Sequence, residues 1–251
     1  MTDRLAGRVA LVTGGAGGIG AGICRVLAAE GATVVVGYNR SRDAAAALVE
    51  ALPNPGAGHA AHAVPVTDSA ALATLAATLA ERHGRLDLLV NCHGTTRFVP
   101  AADLDALDDA LIDAVLATNV RGTFATVRAF KALLLASDDA LVVNISSIAA
   151  KLAIGSNVMY CASKGAVDTL TQALALALAP KIRVCAVSPG LVLTESAQRF
   201  DPAFLQGHVD RSPLKRLTTP EDIGEAVVGL ATAFRASTGL VVPVDTGRNL
   251  A

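Results

Sequence analysis

Tyr160 and Lys164 are the residues of this sequence best suited to proton transfer, because they stand four positions apart in the segment YCASK. On a helix, residues at i and i+4 lie on the same face. A phenol titrates near pH 10, and we expect the Lys164 ammonium to lower the pKa of Tyr160 by favouring the phenolate. Ser146 and Ser147 end an apolar strand, where a hydroxyl can hydrogen-bond a carbonyl oxygen that gains charge. A lone Tyr-x-x-x-Lys usually marks a solvated helix face, so the surrounding motifs decide whether this pair is catalytic.

The segment Thr13–Gly20, TGGAGGIG, supplies that context by joining the first apolar strand to a helix. Its glycines satisfy both G-x-G-x-x-G and T-G-x-x-x-G-x-G. Glycine permits the tight turn and lets backbone amides approach a pyrophosphate at the positive end of the following helix. An ordinary tight turn is the alternative, but the strand–turn–helix arrangement favours dinucleotide binding.

The end of the second predicted strand bears on which dinucleotide binds. NAD-preferring sites usually place Asp or Glu there to accept hydrogen bonds from the ribose hydroxyls, whereas Tyr38–Arg42 reads YNRSR. No carboxylate would repel a 2′-phosphate, and two guanidiniums with Ser41 could bind one. The alternative is that Arg40 and Arg42 solubilise a helix start, and Gly17 adds no cation within the turn. We therefore expect NADP(H), with NAD(H) as the competing cofactor.

Further motifs follow in a fixed order: LDLLVNCHG, TNVRGTF, NISS, YCASK, SPGLVLT, PEDI and STGLVVPVDTG. On these motifs the chain resembles the classical short-chain dehydrogenases/reductases over essentially its whole length, with most similarity to the 3-oxoacyl-(acyl-carrier-protein) reductase-like branch. The resemblance implies a catalytic set of Asn119, Ser147, Tyr160 and Lys164. In it, Tyr160 transfers the proton, Ser147 holds the carbonyl, Lys164 binds ribose and tunes Tyr160, and Asn119 supports a water relay.

The turn, the second strand and the resemblance together predict the cofactor contacts. They are Thr13, Gly14, Gly18, Ile19, Gly20, Tyr38, Asn39, Arg40, Ser41, Val66, Asn91, His93, Gly94, Tyr160, Lys164, Pro189, Gly190, Val192 and Thr194. Four positions depart from the family's usual residues: His93 for Ala, Pro65 for Asp, Cys185 for Asn and Thr246 for Gly. For His93 we expect either a second polar group near the cofactor or a tolerated surface substitution. The change at Pro65 leaves Val66, and Asp68 as a second candidate, to contact adenine.

Short apolar runs alternate with helix-period segments along the whole chain. The predicted strands are Val9–Thr13, Thr33–Gly37, His59–Val64, Leu86–Asn91, Ala140–Ile145, Arg183–Val187 and Leu240–Val244. The predicted helices are Ile19–Glu30, Arg42–Leu52, Ser69–Arg82, Asp103–Ser137, Val158–Ala179 and Pro220–Ala236. This rhythm predicts an α/β single-domain Rossmann fold over residues 1–251, with a doubly wound parallel sheet of about seven strands and helices on both faces. We expect the irregular insert at about 191–219 to be a substrate lid.

Composition narrows the function classes. Of 251 residues, 52% are apolar and the net charge is −1, which argues against disorder and against a nucleic-acid partner. No apolar run approaches the ~20 residues that a membrane-spanning helix needs, and the start carries no signal peptide. Four cysteines without framework spacing indicate a reducing, cytoplasmic location. We expect no metal, because His59 and His62 lack a third ligand and are best read as a solvated loop.

These observations predict an NADP(H)-dependent reductase of a small or acyl-linked carbonyl. The alternatives are an NAD-linked alcohol, sterol or sugar dehydrogenase, and a cofactor-binding sensor without turnover. A serine hydrolase is excluded because no G-x-S-x-G occurs. The resemblance implies a homotetramer, or a homodimer, through Asp103–Ser137 and Val158–Ala179. Acyl-carrier-protein binding would need a basic entrance, for which the candidates are Arg97, Arg199, Arg211, Lys215 and Arg216; a solvated surface is the alternative.

Overall fold

The computed structural model describes residues 3–250, and in this range seven parallel strands form one sheet in the order β3-β2-β1-β4-β5-β6-β7. The strands are β1 (Val9–Thr13), β2 (Thr33–Tyr38), β3 (Ala60–Ala63), β4 (Leu88–Asn91), β5 (Ala140–Ile145), β6 (Ile182–Pro189) and β7 (Val241–Val244). Helices cover both faces, so the predicted doubly wound Rossmann sheet is confirmed.

The described helices are α1 (Gly18–Ala29), α2 (Arg42–Ala51), α3 (Ser69–His83), α4 (Asp109–Val115), α5 (Gly122–Leu135), α6 (Ala149–Leu152), α7 (Val158–Leu178), α8 (Pro202–Arg211) and α9 (Pro220–Thr232). The predicted single helix Asp103–Ser137 is wrong in two respects. It starts only at Asp109, because Asp108 caps it by accepting a hydrogen bond from the backbone N–H of Leu111 at 2.8 Å. It is then interrupted by a π-helical segment, Leu116–Arg121.

The apolar runs form strands because both faces of the sheet are covered. Side chains of β1 alternate, so that Ala10 and Val12 pack in one core cluster whereas Val9 and Leu11 pack in another. The first cluster contains buried side chains of α1, α2 and α9, and the second contains those of α3, α5 and α7. Almost all of this core is aliphatic, as the scarcity of aromatic residues predicts.

The segment 191–219 is less irregular than we predicted, because it contains α8. That helix begins with Asp201, whose carboxylate accepts from the N–H of Ala203 at 2.8 Å, followed by Pro202 in the first turn. The solvated loop predicted around His59 is also wrong. Both ring nitrogens of His59 are bonded, one to the N–H of Val34 at 3.0 Å and the other to the carbonyl of Pro53 at 2.9 Å.

The carboxyl ends of β1 and β4 lie side by side where the strand order reverses, with Thr13 paired to Asn91. Asn91 is paired in turn to Asn144 of β5. Ligands of doubly wound sheets bind in the crevice beyond this point. The fold therefore brings three parts of the chain to one crevice: the segment Thr13–Gly20, which we call the glycine turn, the loop after β4, and Ser146–Ser147. Within residues 3–250, the structure contains no helix that is both long and apolar enough to span a membrane.

Candidate active site

The turn between β1 and α1 can be made only by small residues. A Cβ on Gly20 would overlap the carbonyl oxygen of Gly14, and Gly14 itself has a φ of +65°. A Cβ on Gly18 would lie 2.7 Å from Cβ of Thr194, so the first residues of the 191–219 segment rest directly on the start of α1. The turn thus leaves an open cradle of backbone that fits a pyrophosphate group.

A cleft of about 430 Å³ opens over this turn. Nine of its lining residues are predicted site residues: Gly14, Gly18, Ile19, Gly20, His93, Gly94, Tyr160, Lys164 and Thr194. Ser146, named together with Ser147 from the sequence, lines the cleft as well. Residues outside the predicted set also line it, among them Cys92, Thr95, Thr96, Ile145 and Ser196, and each lies within two positions of a predicted residue. A second cavity of about 390 Å³ lies beside β7, and no predicted site residue lines it.

Tyr160 lies in the first turn of α7, which the buried Asn157 caps by accepting from the N–H of Tyr160 at 2.7 Å. The side chain of Ser147 lies close enough to the Tyr160 hydroxyl to act on its pKa, and Ser147 Oγ accepts from the N–H of Ala149 at 3.2 Å. Lys164 is buried, and its Nζ donates to the carbonyl of Ile145 at 2.7 Å while lying 5.8 Å from the centre of the Tyr160 ring. The predicted trio therefore meets at the end of β5.

The electrostatics of this trio differ from the expectation. Burial raises the pKa of Tyr160 above its ordinary value of 10, and the neighbouring Ser147 side chain only partly opposes this. Burial also lowers the pKa of Lys164 to about 8. The predicted lowering of the Tyr160 pKa is thus wrong for this structure, because the cost of burying the phenolate outweighs the neighbouring group that favours it.

Asn119 sits in the π-helical segment with its side-chain amide turned inward. Its Oδ1 accepts from the N–H of Thr95 at 2.8 Å, and its Nδ2 donates to Ser163 Oγ at 3.1 Å. Ser163 in turn donates to the carbonyl of Tyr160 at 2.7 Å. A Cβ on Gly94 would lie 3.5 Å from Asn119 Oδ1 and 3.9 Å from Lys164 Nζ. Asn119 and Lys164 therefore approach each other across Gly94.

Asn91 is placed differently from the expectation, because its side chain is buried outside the cleft. Its Nδ2 donates to Asn144 Oδ1 at 2.9 Å, and its Oδ1 accepts from Thr126 at 2.7 Å. Asn144 continues to Thr171 of α7 at 2.8 Å. These amides form a buried polar ladder that holds the ends of β4 and β5 together and satisfies all the groups involved. The Asn91 side chain therefore belongs to this ladder and does not line the cleft.

His93 is also placed differently from one of our two expectations. It is partly buried, with its Nδ1 2.7 Å from the hydroxyl of Thr13 and its Nε2 3.4 Å from the hydroxyl of Thr123. Burial, with Lys164 nearby, lowers the pKa of His93 to about 3. A tolerated surface substitution is therefore excluded.

The remaining predicted residues lie on either side of the cleft. Tyr38 packs on the core, whereas Asn39, Arg40 and Ser41 are exposed. The buried Val66 lies against Gly122, the residue directly after the π-helical segment, because a Cβ on Gly122 would lie 2.8 Å from Val66 Cγ2. The other residues continue from β6 into the 191–219 segment: Pro189, Gly190 and Val192.

The chain matches known proteins over nearly all of its length. The family model described as enoyl-(acyl carrier protein) reductase matches residues 14–249. A Streptomyces violaceoruber protein named as a ketoacyl reductase of the granaticin polyketide synthase is 41% identical, with 99% of each chain covered. The D-threitol dehydrogenase of Mycolicibacterium smegmatis is 36% identical, with 97% of this chain and 94% of the relative covered.

A solved structure shows the same architecture. It is a gluconate 5-dehydrogenase from Burkholderia cenocepacia in complex with NADP and tartrate, with a TM-score of 0.90 at 30% identity, covering 100% of this chain and 98% of that one. These matches to reductases and dehydrogenases agree with the cleft over the glycine turn. The chain is an NAD(P)-dependent oxidoreductase and belongs to the short-chain dehydrogenase/reductase family.

Proposed function

We propose that the protein is an NADP(H)-dependent reductase of ketones or aldehydes, which oxidises the secondary alcohol in the reverse direction. One observation carries this proposal: Tyr160 and the buried Lys164 line the cleft that the glycine turn opens, and the side chain of Ser147 lies beside Tyr160. When bound there, the nicotinamide supplies the hydride. The chain supplies the proton and the polar groups that hold the carbonyl oxygen.

Each catalytic residue has a role that follows from its contacts. Tyr160 gives the proton of its hydroxyl to the carbonyl oxygen, and Ser147 donates a hydrogen bond to the same oxygen. The raised pKa of Tyr160 keeps the phenol protonated at neutral pH, which suits an acid in the reductive direction. Lys164, held at the cleft by the carbonyl of Ile145, would donate a hydrogen bond to the nicotinamide ribose. Asn119 fixes the loop after β4 beside Lys164.

The exposed end of β2 supports the choice of NADP(H). No carboxylate occurs in Tyr38–Arg42, and within residues 3–250 neither Arg40 nor Arg42 has an ion-pair partner. Two unpaired guanidiniums at the start of α2 suit a 2′-phosphate, which Arg binds through several hydrogen bonds at once. The NADP in the related gluconate 5-dehydrogenase agrees with this choice, and NAD(H) is the competing cofactor.

We infer that the substrate is a carbonyl of the ketoacyl type, small or acyl-linked, as in the polyketide relative. The five basic candidates give little support to docking of a carrier protein. Arg97 pairs with Asp108 at 2.9 Å, Arg199 lies 3.8 Å from Glu195, and Arg216 pairs with Asp222, so that carboxylates offset their charges.

A polyol is the second candidate substrate, carried by one observation. The hydroxyls of Thr96 and Ser156 lie 2.5 Å apart, and Thr96 lines the cleft. Asn157 Nδ2 donates to the Thr96 hydroxyl at 3.1 Å, so this hydroxyl pair is held in place. A fixed pair of hydroxyls can hydrogen-bond a second hydroxyl of a sugar alcohol. The D-threitol dehydrogenase among the relatives acts on such a compound, as its name states.

The assembly, the lid and the location stay proposals. Exposed apolar side chains on α5 and α7, namely Phe124 (42% exposed), Leu135 (48%) and Leu176 (85%), support a homotetramer or homodimer through these helices. Contact of Thr194 with the glycine turn supports the lid at about 191–219, within a single 1–251 domain. Four free cysteines support the cytoplasmic location.

A carbonyl panel run with NADPH and with NADH tests the function. The panel contains a β-ketoacyl thioester, an aromatic ketone and a ketose, and binding is followed by NADPH emission because the chain has no Trp. We expect NADPH oxidation with at least one carbonyl and none with Tyr160→Phe. Cofactor binding without turnover of any carbonyl or alcohol, in both cofactors, would instead support a sensor.

A further inference from the structure

The imidazole of His93 lies between two parts of the site that the chain otherwise keeps separate. On one side its Nδ1 is 2.7 Å from Oγ1 of Thr13, the last residue of β1. On the other side its Nε2 lies 3.4 Å from Oγ1 of Thr123, at the start of α5. Thr13 opens the glycine turn, and Thr123 lies two residues after the π-helical segment that carries Asn119.

The partners of the ring define its proton. Thr123 Oγ1 gives its own hydrogen to the carbonyl of Asn119 at 2.7 Å, so it accepts from His93, and Nε2 carries the hydrogen. Nδ1 is then an acceptor. The hydroxyl of Thr13 accepts from the N–H of Cys92 at 3.1 Å and has two acceptors within reach, of which Nδ1 at 2.7 Å is closer than the carbonyl of Val90 at 3.3 Å. The neutral imidazole therefore uses both nitrogens, one toward each element. Its lowered pKa keeps this arrangement at physiological pH.

Gly122 makes room for this contact. A Cβ at that position would lie 3.2 Å from His93 Nε2 and 2.8 Å from Cγ2 of Val66. The N–H of Gly122 donates to the carbonyl of Ala117, five residues back, which is the π-helical register. The ring thus reaches the helix at its irregular turn, where a side chain can approach the backbone closely.

The contacts continue to the catalytic helix. Thr123 Oγ1 donates to the carbonyl of Asn119 at 2.7 Å, and Asn119 Nδ2 donates to Ser163 at 3.1 Å. Ser163 donates to the carbonyl of Tyr160 at 2.7 Å. His93 is the member of this chain of hydrogen bonds that reaches β1.

We propose that His93 is a positioning residue that couples the glycine turn, through Thr13, to the segment holding Asn119, through Thr123. The proposal rests on the proposed function for its effect on turnover, but its physical content is a tie between two elements. Each nitrogen has a separate duty: Nδ1 steadies the turn that receives the cofactor, and Nε2 steadies the π-helical segment.

Two substitutions separate these duties. His93→Asn keeps an acceptor near the position of Nδ1 and loses the donor at Nε2, whereas His93→Gln keeps a donor near Nε2 and loses the acceptor at Nδ1. We expect His93→Asn to lower kcat about tenfold with the NADPH Kd within twofold, and His93→Gln to raise that Kd about tenfold with kcat within twofold. His93→Ala should do both, and His62→Ala, at a partly exposed histidine of β3, should do neither.

Hydrogen exchange of the cofactor-free protein supplies a readout that does not depend on activity. Amides of residues 116–123 should exchange at least fivefold faster in His93→Asn and His93→Ala than in the wild type, and at the wild-type rate in His93→Gln. Equal effects of all three substitutions, or effects that follow only the loss of Tm, would overturn the coupling. Failure of the wild type to bind either cofactor would contradict the proposed function instead, while the exchange pattern would still decide on His93.

Discussion

The two ends of the cofactor cleft are built in opposite ways. At the catalytic end, Asn119 and Lys164 are buried and each is held by short hydrogen bonds to backbone or neighbouring side chains. At the far end, Asn39, Arg40 and Ser41 are exposed, and the arginine has no ion-pair partner within residues 3–250.

This difference separates the reaction from the choice of cofactor. Moving a catalytic group means disturbing a connected, buried network, which costs several hydrogen bonds at once. Changing a residue of the β2 end means changing a solvated side chain, which costs the fold little. The predictions below test whether the two ends can be altered independently, in decreasing order of expected effect.

Tyr160→Phe removes one hydroxyl from the buried end and should have the largest effect. We expect kcat to fall about 10³-fold or more, because a positioned acid typically contributes 10²–10⁴-fold. The NADPH Kd should stay within twofold, since the ring remains in place. Steady-state rates and NADPH emission measure the two quantities, with Thr169→Ala, at an exposed position of α7, as the control. Turnover above a tenth of the wild-type value would contradict the acid role.

The burial of His93 at the catalytic end should make the free energy of unfolding depend on pH. The pKa of His93 is lowered from 6.5 to about 3, so between these values the unfolded state binds a proton that the folded state does not. Stability therefore falls as the pH drops below about 7, by up to about 1.4 kcal/mol per pH unit.

The matched variant isolates this effect. Between pH 7 and pH 5, urea unfolding of the wild type should lose up to about 2 kcal/mol more than unfolding of His93→Gln. His62→Gln removes a histidine whose pKa is lowered less strongly, and its difference from the wild type should be smaller. Parallel pH curves for the wild type and His93→Gln would show that this imidazole is not desolvated.

Arg40→Ala alters the exposed end and should change selectivity alone. We expect the KM for NADPH to rise about tenfold, because a charge-assisted hydrogen bond to phosphate contributes about 1.5–3 kcal/mol, while the KM for NADH changes less than twofold. Arg25→Ala, at an exposed arginine of α1, is the control. Equal changes in the KM for NADPH and the KM for NADH would contradict the proposed preference for NADPH.

Thr219 lies at neither end of the cofactor cleft, so Thr219→Ala should have the smallest effect on the site. Thr219 accepts from the N–H of Asp222 at 3.1 Å, and the Asp222 carboxylate accepts from the N–H of Thr219 at 2.8 Å. Loss of this capping box should lower the free energy of unfolding by about 1 kcal/mol, with kcat and cofactor preference unchanged. A change in preference would show that α9 communicates with the exposed end.

The sequence predicts what depends on local pattern. Apolar runs such as β5 are recognised from composition, and the Pro at the start of α9 marks that helix correctly. Asp201 and Pro202 form the same kind of helix-start signal for α8, although the segment 191–219 is predicted to be irregular. The interruption at Leu116–Arg121 is a change of hydrogen-bond register, and hydrophobic periodicity does not reveal it.

The features of the site also divide into those that local pattern predicts and those that only tertiary contact decides. The spacing of Tyr160 and Lys164 predicts their shared face, but the pKa of Tyr160 depends on burial, which only the folded chain provides. For Asn91 and His93, the partners come from β1, β5 and α5, far away in the chain. Tertiary contact decides these roles, so no local pattern could assign them.

The π-helical segment also sets an angular phase. Successive helical residues are rotated by about 100°, and a π turn adds one residue to the winding. The wide turn therefore lets Asn119 reach Thr95 and Ser163 while Phe130, further along α5, still faces the core. Deleting one residue from 116–121 would close the wide turn to an ordinary α-helical turn and leave Phe130 in phase with the core, but it would move Asn119 out of this position. The extra residue in this stretch therefore serves the site and not the core.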